Sequence, residues 1–329
     1  MKFGPVSLDQ AASTVLAHSI ALPDGRLRKG KLLDADDLAA LKDAGLQEVT
    51  VARLEPGDLP EDEAAAQIAA ALAPDPAGAG LRLGPAATGR VNLHALGAGV
   101  LEVDAARINA ANAIHPMITV ATLPEWKRVV DGTMIATVKI ISYAVPQSAV
   151  DEACAVGRDA LRVHVPVEKT AALIQTGLGK LSGAKGEKAL RTRLDRLGVE
   201  LADSRDCAHD IDALTAQLDA TDAEVIFILT GSATSDMYDI APEAVRRAGG
   251  TVSHFGMPVD PGNLLFYGSL DQRPVIGLPG CARSPALNGA DWVMERILCG
   301  IPVTPADIAG MGVGGLLMEI PTRPRPREG

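Results

Sequence analysis

Apolar runs and turn-rich loops alternate most clearly between residues 224 and 285. Glu224–Leu229 is a run of β-branched and aromatic residues, which predicts a strand buried on both faces. Tyr238–Ala248 carries apolar residues at helical spacing and stops at two glycines, so the intervening loop joins a strand to a helix N-terminus. A second predicted strand, Pro274–Gly277, leads into another loop that opens a helix. Such loops bind ligands in open α/β sheets because free backbone N–H groups and the helix dipole converge there.

The same alternation extends upstream. A predicted strand, Ala171–Gln175, precedes a helix over Glu187–Leu197, and a strand near Val199–Ala202 precedes a helix near Ile211–Leu218. Strands that alternate with helices predict a parallel sheet with right-handed crossovers. The predicted fold class is therefore α/β, with a doubly wound, mostly parallel domain over residues 160–305.

The flanking segments predict smaller units. Residues 1–75 are expected to form a small α+β unit, in which Ser7–Gln10 is a capping box ahead of a helix to about Ala17. Residues 81–155 are expected to form a second α+β unit. Residues 306–329 predict a short strand and a linker-like tail, because the end of the chain is rich in Pro and Arg.

Composition and charge limit the classes of ligand that the protein can bind. The 329 residues are 47% hydrophobic, enough for several globular domains, and only 3% aromatic, which argues against base-stacking platforms for single-stranded nucleic acid. A net charge of −10 argues against nucleic-acid or anionic-membrane binding. It does not prevent binding of a small anion, because charges beyond a Debye length of about 8 Å are screened.

The cysteines and the N-terminus indicate in which cellular compartment we expect the protein. Cys154, Cys207, Cys281 and Cys299 show no CxxC pair and no zinc spacing, which is typical of a reduced intracellular chain. The N-terminus has no apolar signal region, and no segment approaches the roughly 18 apolar residues of a membrane span. We therefore expect a cytoplasmic protein that binds neither nucleic acid nor membrane.

Three loops carry recognisable motifs. They are Thr230–Asp239 (TGSATSDMYD), Pro261–Asn263 (PGN) and Leu278–Gly280 (LPG). In order and spacing they resemble the TGGxSxGxxD, PGKP and LPGNP loops of the molybdopterin-binding domain in molybdenum cofactor biosynthesis proteins. The resemblance covers about residues 165–300. It is closest to a bacterial branch in which this region precedes a nucleotidyltransferase domain, and it implies a three-layer α/β/α domain.

The resemblance implies a set of site residues. Asp239 would be the catalytic acidic residue, organising the cofactor's phosphate or a magnesium ion, and Asp236 would either repel phosphate or hold the cation. The structural alternative is that both carboxylates cap a helix, worth about 1 kcal/mol. The candidate cofactor-binding residues are Thr176, Gly177, Thr230, Gly231, Ser232, Thr234, Ser235, Pro261, Gly262, Asn263, Leu278, Pro279, Gly280, Arg283 and Ser284.

Several positions depart from the family motifs. Asn263 replaces the usual lysine, and we expect Arg283 to supply the missing positive charge, although a plain turn at Pro261–Asn263 explains that loop as well. Cys281 is either a soft ligand for molybdenum or copper or a buried inert thiol. Leu178–Gly179 replaces the Asp-Glu pair of the family's TGDE loop, which argues against molybdate insertion.

Charged residues near these loops form a second group of candidates. Lys180, with Lys185, Lys188 and Arg191, would screen a pyrophosphate or would form a solvated helix face. Asp210 precedes a predicted helix and is a weak site candidate, with an N-cap as its alternative.

These features support three hypotheses of function. The first is binding of molybdopterin, free or adenylated, with molybdotransferase-like activity that uses Mg²⁺ and molybdate. The second is a non-catalytic cofactor-binding module that serves a partner nucleotidyltransferase. The third is a nucleotide pyrophosphatase built on the same domain. The family resemblance also implies a homo-oligomer.

Overall fold

The computed structural model describes residues 1–23, 25–177 and 183–317, and its contacts divide the chain into two units. The first unit comprises Met1–Leu96 and Leu101–Val163, and the second comprises Gly97–Val100 and the chain from His164 onward. Lys180, Leu178–Gly179 and residues 318–329 lie outside the described residues. No helix in the described part of the chain is long and apolar enough to cross a membrane.

The first unit is built from short antiparallel sheets and helices. In chain order the strands that lie wholly or mostly in it are β1 Lys2–Ser7, β2 Val15–Leu16, β3 Ile20–Leu22, β4 Gly25–Leu27, β5 Glu48–Arg53, β6 Asp58–Pro60, β7 Leu81–Leu83, β8 Arg90–Ala95, β9 Gly99–Val103, β10 Ile118–Thr122, β11 Arg128–Val129, β12 Met134–Ile140, β13 Ala144–Pro146 and β14 Leu161–His164. Its helices are α1 Ala35–Asp43, α2 Glu61–Leu72, α3 Ala105–Ile114 and α4 Gln147–Val156.

The described residues of this unit include two hydrophobic cores. One includes Val6, Leu16, Leu41 and Val51 from the first 53 residues, and the other draws on residues 59–163, including helix α2. The predicted helix from Ser7 to Ala17 is wrong. Ser7 ends strand β1 and makes no side-chain cap, because Val6 and Leu16 pair with β5 instead.

The second unit contains the predicted α/β segment. Its strands are β15 Thr170–Gly177, β16 Glu200–Ala208, β17 Val225–Leu229, β18 Thr251–Phe255, β19 Phe266–Leu270 and β20 Arg273–Leu278. Its helices are α5 Ala184–Asp195, α6 Ile211–Asp219, α7 Ile240–Arg247, α8 Gly289–Leu298 and α9 Pro305–Gly310. Among the described residues the sheet order is β16-β15-β17-β20-β19-β18.

The strand directions confirm a mixed α/β fold with a largely parallel sheet. Strands β16, β15, β17 and β20 run parallel to one another, and β19 and β18 add an antiparallel edge. Strand β17 is buried along its whole length, as its apolar sequence predicts.

Helices α6 and α7 share one core with Ile174, Ile226 and Ile228. Helices α5 and α8 are joined by a buried ion pair between Arg193 and Asp291. The doubly wound arrangement remains a prediction.

Candidate functional site

The parallel strands end together at one edge of the sheet. In the register, Gln175 lies opposite Leu229, and Leu229 lies opposite Leu278. The next residues, Thr176, Thr230 and Pro279, therefore lie side by side at this edge, where β17 and β20 end and β15 continues to Gly177 along β16. Strands β16 and β17 lie on opposite sides of β15, so this edge is a topological switch point, the usual place for a ligand crevice in such sheets.

Thr176 ties two of these strand ends together. Its hydroxyl oxygen accepts a hydrogen bond from the Gly231 backbone N–H at 3.0 Å, and it lies 2.7 Å from Nδ1 of His209. The tautomer of the His209 ring decides which of these two atoms donates. His209 was not among the predicted site residues, because the strand predicted near Val199–Ala202 stops short of Ala208, where β16 ends.

The first motif loop is folded on its own side chains. The Thr230 hydroxyl donates to the Ser232 carbonyl at 2.6 Å and lies 3.2 Å from the Thr234 hydroxyl. The Ser235 hydroxyl donates to the Ala233 carbonyl at 3.2 Å. Thr230 and Thr234 are buried, so these hydroxyls shape the loop from inside, whereas Ser232 and Ser235 are exposed.

Asp239 acts as the N-cap of helix α7. Its two carboxylate oxygens accept from the backbone N–H groups of Ile240 at 2.7 Å and Ser235 at 2.9 Å. Asp236 is exposed and accepts from the Tyr238 N–H at 2.8 Å. Among the described residues there is no group of three or more His, Cys, Asp or Glu able to hold a metal ion. The contacts match the capping alternative for Asp239, whereas Asp236 accepts within the turn that precedes helix α7. The catalytic and metal roles of these carboxylates stay predictions.

The second motif loop packs against the start of helix α8. Gly262 has φ of +145°, and a Cβ there would lie 2.8 Å from the Gly289 nitrogen. The Gly289 N–H in turn donates to the Pro261 carbonyl at 2.8 Å. Asn263 donates from Nδ2 to the Met257 carbonyl at 3.3 Å. Only glycine fits at residue 262, because both the conformation and the close approach exclude a side chain.

The third motif, Leu278–Gly280, runs into a 3-10 turn, Gly280–Arg283. We call residues 278–286 the third loop, and this loop contacts the first. Arg283 donates from Nη2 to the Thr230 carbonyl at 2.7 Å, and burial lowers the pKa of its guanidinium, which stays charged at neutral pH. Cys281 accepts from Asn288 Nδ2 at 3.0 Å and is exposed, so the prediction of a buried thiol is wrong. The turn lifts this thiol out of the core.

Arg193 on helix α5 holds the third loop through hydrogen bonds to its backbone carbonyls. Its guanidinium pairs with Asp291 and donates to the carbonyls of Ala282 at 3.0 Å, Ser284 at 2.9 Å and Ala286 at 3.0 Å. Asp291 also accepts from the Asn288 N–H at 2.9 Å, which completes the capping box of α8. Sequence reasoning missed this pair because its members are 98 residues apart.

A cavity of about 950 Å³ opens between the second and third loops and helix α5. Its positive groups are Lys185, Lys188 and Arg283, and the carboxylate in its described lining is Asp260. The sequence leaves two roles open for Lys185 and Lys188, screening of a pyrophosphate or a solvated helix face, and a place in this lining is compatible with the first. Its described lining is Lys185, Lys188, Ala189, Thr192, Ala233, Asp260, Pro261, Gly262, Asn263, Leu264, Pro279, Gly280, Cys281, Arg283, Ser284, Pro285, Ala286, Leu287 and Asn288.

The cavity brings together only part of the predicted set. The second and third loops contribute seven of the predicted residues: Pro261, Gly262, Asn263, Pro279, Gly280, Arg283 and Ser284. The first loop reaches the described lining through Ala233 alone, which was not predicted. The predicted residues outside that lining are Thr176, Gly177, Thr230, Gly231, Ser232, Thr234, Ser235, Asp236, Asp239 and Leu278. Asp210 also lies outside it and caps helix α6, accepting from the Ala213 N–H at 2.8 Å.

Comparisons with known proteins give distant likenesses. A family described as a domain of unknown function, DUF8806, matches residues 5–53, and no curated protein matches the chain. A molybdopterin biosynthesis MoeA protein from Pyrococcus horikosii is similar at 14% identity over 94% of this chain and 76% of that chain, with a TM-score of 0.29.

Two shorter structures are similar to part of the chain. A molybdenum cofactor biosynthesis protein B has 14% identity over 41% of this chain and 92% of that chain, with a TM-score of 0.30. A CinA protein with unknown function from Thermoplasma acidophilum has 16% identity over 40% of this chain and 98% of that chain, with a TM-score of 0.30. At these values the likenesses carry no weight in assigning the site.

Proposed function

We propose that this chain binds a phosphorylated pterin of the molybdopterin class, free or adenylated, and so takes part in molybdenum cofactor biosynthesis. The observation that carries the proposal is the cavity that two of the three motif loops share with Lys185 and Lys188. Its volume lies at the upper end of ordinary small-molecule sites, which run from about 300 to 1,000 Å³.

The lining suits both halves of such a ligand. Lys185, Lys188 and Arg283 supply three positive charges against one carboxylate, Asp260, and would hold the phosphate end. Apolar side chains, Leu264 and Leu287 among them, would pack against the flat pterin ring. Gly280 carries no side chain, so the ligand can approach its backbone closely, whereas the missing side chain of Gly262 makes room for the Gly289 backbone.

The positions of the carboxylates favour a binding module over a transferase. Asp236 and Asp239 lie outside the described lining of the cavity, and both Asp239 oxygens accept backbone hydrogen bonds. A magnesium ion on a bound phosphate needs one or two carboxylates beside it. The described lining offers one, Asp260, which meets only the minimum, and the predicted catalytic carboxylate Asp239 is not part of that lining. On this ground we propose a module that holds cofactor for a partner nucleotidyltransferase.

The binding proposal is tested with charge variants of helix α5. Lys188→Ala removes one cation from the cavity, and we expect it to weaken binding of molybdopterin about fivefold, as a partly exposed charged contact does. Arg191→Ala is the matched control, because Arg191 lies on the same helix but pairs with Glu187 at 2.9 Å outside the described lining. Equal affinities of the two variants in calorimetric titration would contradict the proposed site.

The choice between module and enzyme needs a turnover assay. The protein is incubated with adenylated molybdopterin, molybdate and Mg²⁺, and release of AMP is followed. We expect tight binding without AMP release. AMP release that disappears in Asp239→Asn would instead support the transferase, since asparagine keeps an oxygen that can cap the helix. Dinucleotide hydrolysis without molybdate would indicate the pyrophosphatase.

A further inference from the structure

We propose that Arg193 is a positioning residue. It holds the third loop, which lines one side of the cavity, at a set distance from Lys185 and Lys188 on the other side. The proposal rests on the proposed function for the identity of the ligand. Arg193 does not line the cavity in the described residues, and it acts through the loop carbonyls to which it donates.

The hydrogen bonds of Arg193 account for every donor of its guanidinium. Nε bonds Asp291, Nη1 bonds the carbonyls of Ala189 at 3.2 Å and Ala282 at 3.0 Å, and Nη2 bonds those of Ser284 at 2.9 Å and Ala286 at 3.0 Å. A guanidinium has five N–H donors, and all five are used here. Three of them hold alternate residues of one loop, so the path of residues 282–286 is specified by a single side chain.

The location of Arg193 couples the two sides of the cavity. Helix α5 also carries Lys185 and Lys188, whose side chains line the cavity from one side. The loop that Arg193 holds carries Arg283 on the other side. A phosphate contacts cations on both sides only if their separation is fixed, so an arginine that joins helix to loop determines how well the charges converge on it.

The charge of Arg193 is compensated and therefore is not itself the ligand's counter-charge. The Arg193 side chain is 4% exposed and the Asp291 side chain 3% exposed, and they pair directly. Asp291 extends the contact to Asn288, whose side chain donates to Cys281 in the same loop. The pair thus holds the loop at two points without adding net charge to the cavity.

The test uses a double variant of the full chain, Arg193→Met with Asp291→Asn, because removing one partner alone would leave a buried unpaired charge. Met fills similar space without donors, and Asn keeps an acceptor for the Asn288 N–H. Arg191→Met is the control on the same helix. The first readout is amide hydrogen exchange, which needs no ligand, and the second is the affinity for 6-hydroxymethylpterin phosphate, its unphosphorylated form and inorganic pyrophosphate.

We expect exchange in residues 282–287 to rise at least about tenfold in the double variant, with strand β17 still protected. We expect affinity for the phosphate ester to fall at least about tenfold, and affinity for the unphosphorylated pterin to change less than about threefold. A purely structural role would lower both affinities together. Unchanged exchange in a folded variant, or an equal loss for both pterins, would overturn the proposal.

Failure of the proposed function has a different signature. If the wild-type protein binds pyrophosphate but no pterin, the pterin assignment fails. Arg193 is then judged by pyrophosphate affinity alone, where a tenfold loss in the double variant supports the positioning role and an unchanged affinity overturns it. If no probe binds, hydrogen exchange in residues 282–287 still decides whether Arg193 fixes the loop.

Discussion

The Thr176 hydroxyl shows how one buried group can determine where a backbone loop begins. It is 4% exposed, accepts from the Gly231 N–H and bonds the His209 ring. Gly231 is exposed, so this hydrogen bond contributes about 0.5–1.5 kcal/mol, the net value of an ordinary intramolecular hydrogen bond. The start of the first loop therefore depends on a side chain from the neighbouring strand.

Thr176→Val is expected to destabilise the protein by about 0.5–1.5 kcal/mol and to speed amide exchange at Gly231, because valine keeps the shape but not the hydroxyl. Urea unfolding and hydrogen exchange provide the two measurements. Thr176→Ser keeps the hydroxyl and is the control, so it should leave the Gly231 amide protected. A protected Gly231 amide in Thr176→Val would show that this bond does not hold the loop.

Sequence reasoning found the site's backbone motifs and missed its long-range side-chain partners. The glycines of the loops and the caps at Asp210 and Asp239 follow from local chemistry within a few residues. His209 and Arg193 meet partners 33 and 98 residues away, and such pairs form only once the strands have aligned. No local pattern distinguishes Arg193 from the exposed arginine two positions before it.

At the scale of elements, strands β19 and β20 show how tightly the sheet is packed. Gly277 lies opposite Phe266, and a Cβ at residue 277 would lie 1.9 Å from the Phe266 ring atom Cε1. Phe266 is buried in the core that also includes Ile226 and Ile228. The glycine thus makes room for the aromatic ring of the neighbouring strand.

Gly277→Ala is expected to destabilise the second unit by about 1–3 kcal/mol, the usual cost of overpacking a core. Gly310→Ala is the matched control. Residue 310 ends helix α9, and no described atom lies within 4 Å of a Cβ there, so alanine should be neutral or slightly stabilising. Equal urea midpoints for the two variants would contradict the packing seen at Phe266.

Glu224 joins the starts of strands β15 and β17. The backbone N–H groups of Lys169 and Thr170 donate to its carboxylate and hold the pKa of Glu224 below its ordinary value of 4.5. Because the folded-state pKa is depressed, the stabilisation is present above the unfolded pKa and is lost as pH falls through the folded one.

We therefore expect Glu224→Gln to lower the urea midpoint at pH 7 and to approach the wild-type value as the pH falls below about 4.5. Urea titrations of both proteins at several pH values measure this convergence. A gap that stays constant down to pH 3 would mean that the charge of Glu224 does not matter.

Several elements of the second unit were predictable because their apolar residues form continuous strand-like runs or recur at helical spacing. The strand at Val225–Leu229 and the helix at Ile211–Asp219 both agree with the sequence pattern. The opening segment was not predictable in the same way. Ser7 has the local signature of a cap, but strand pairing of Val6 with Val49, across more than 40 residues, overrides that preference.

At the scale of the whole molecule, the cavity belongs to one unit and opposes the overall charge. Its described lining runs from Lys185 to Asn288, all within the second unit. The chain carries a net charge of −10, whereas the charged side chains of that lining are three cations and Asp260. Because interactions with exposed charges more than about 8 Å away are largely screened, the cations of the lining determine the electrostatic energy of a bound anion.

A fragment of residues 164–329 is accordingly expected to bind the phosphorylated pterin within about threefold of the full chain, if it folds as an independent domain. Circular dichroism establishes folding, and calorimetric titration measures the affinity. The same fragment with Lys188→Ala is the control for site-specific binding. A folded fragment that fails to bind would show that residues 1–163 contribute to the ligand site.

The shared end of strands β15, β17 and β20 also bears on how this protein can change. The origin of each loop is held by the strand ladder, so substitutions further along a loop leave that origin in place. Ser232 and Cys281, which replace residues usual in the resembling motifs, are both exposed beyond these origins. Residues in these loops can therefore be substituted while the sheet stays unchanged, and a new ligand preference can evolve without a change of fold.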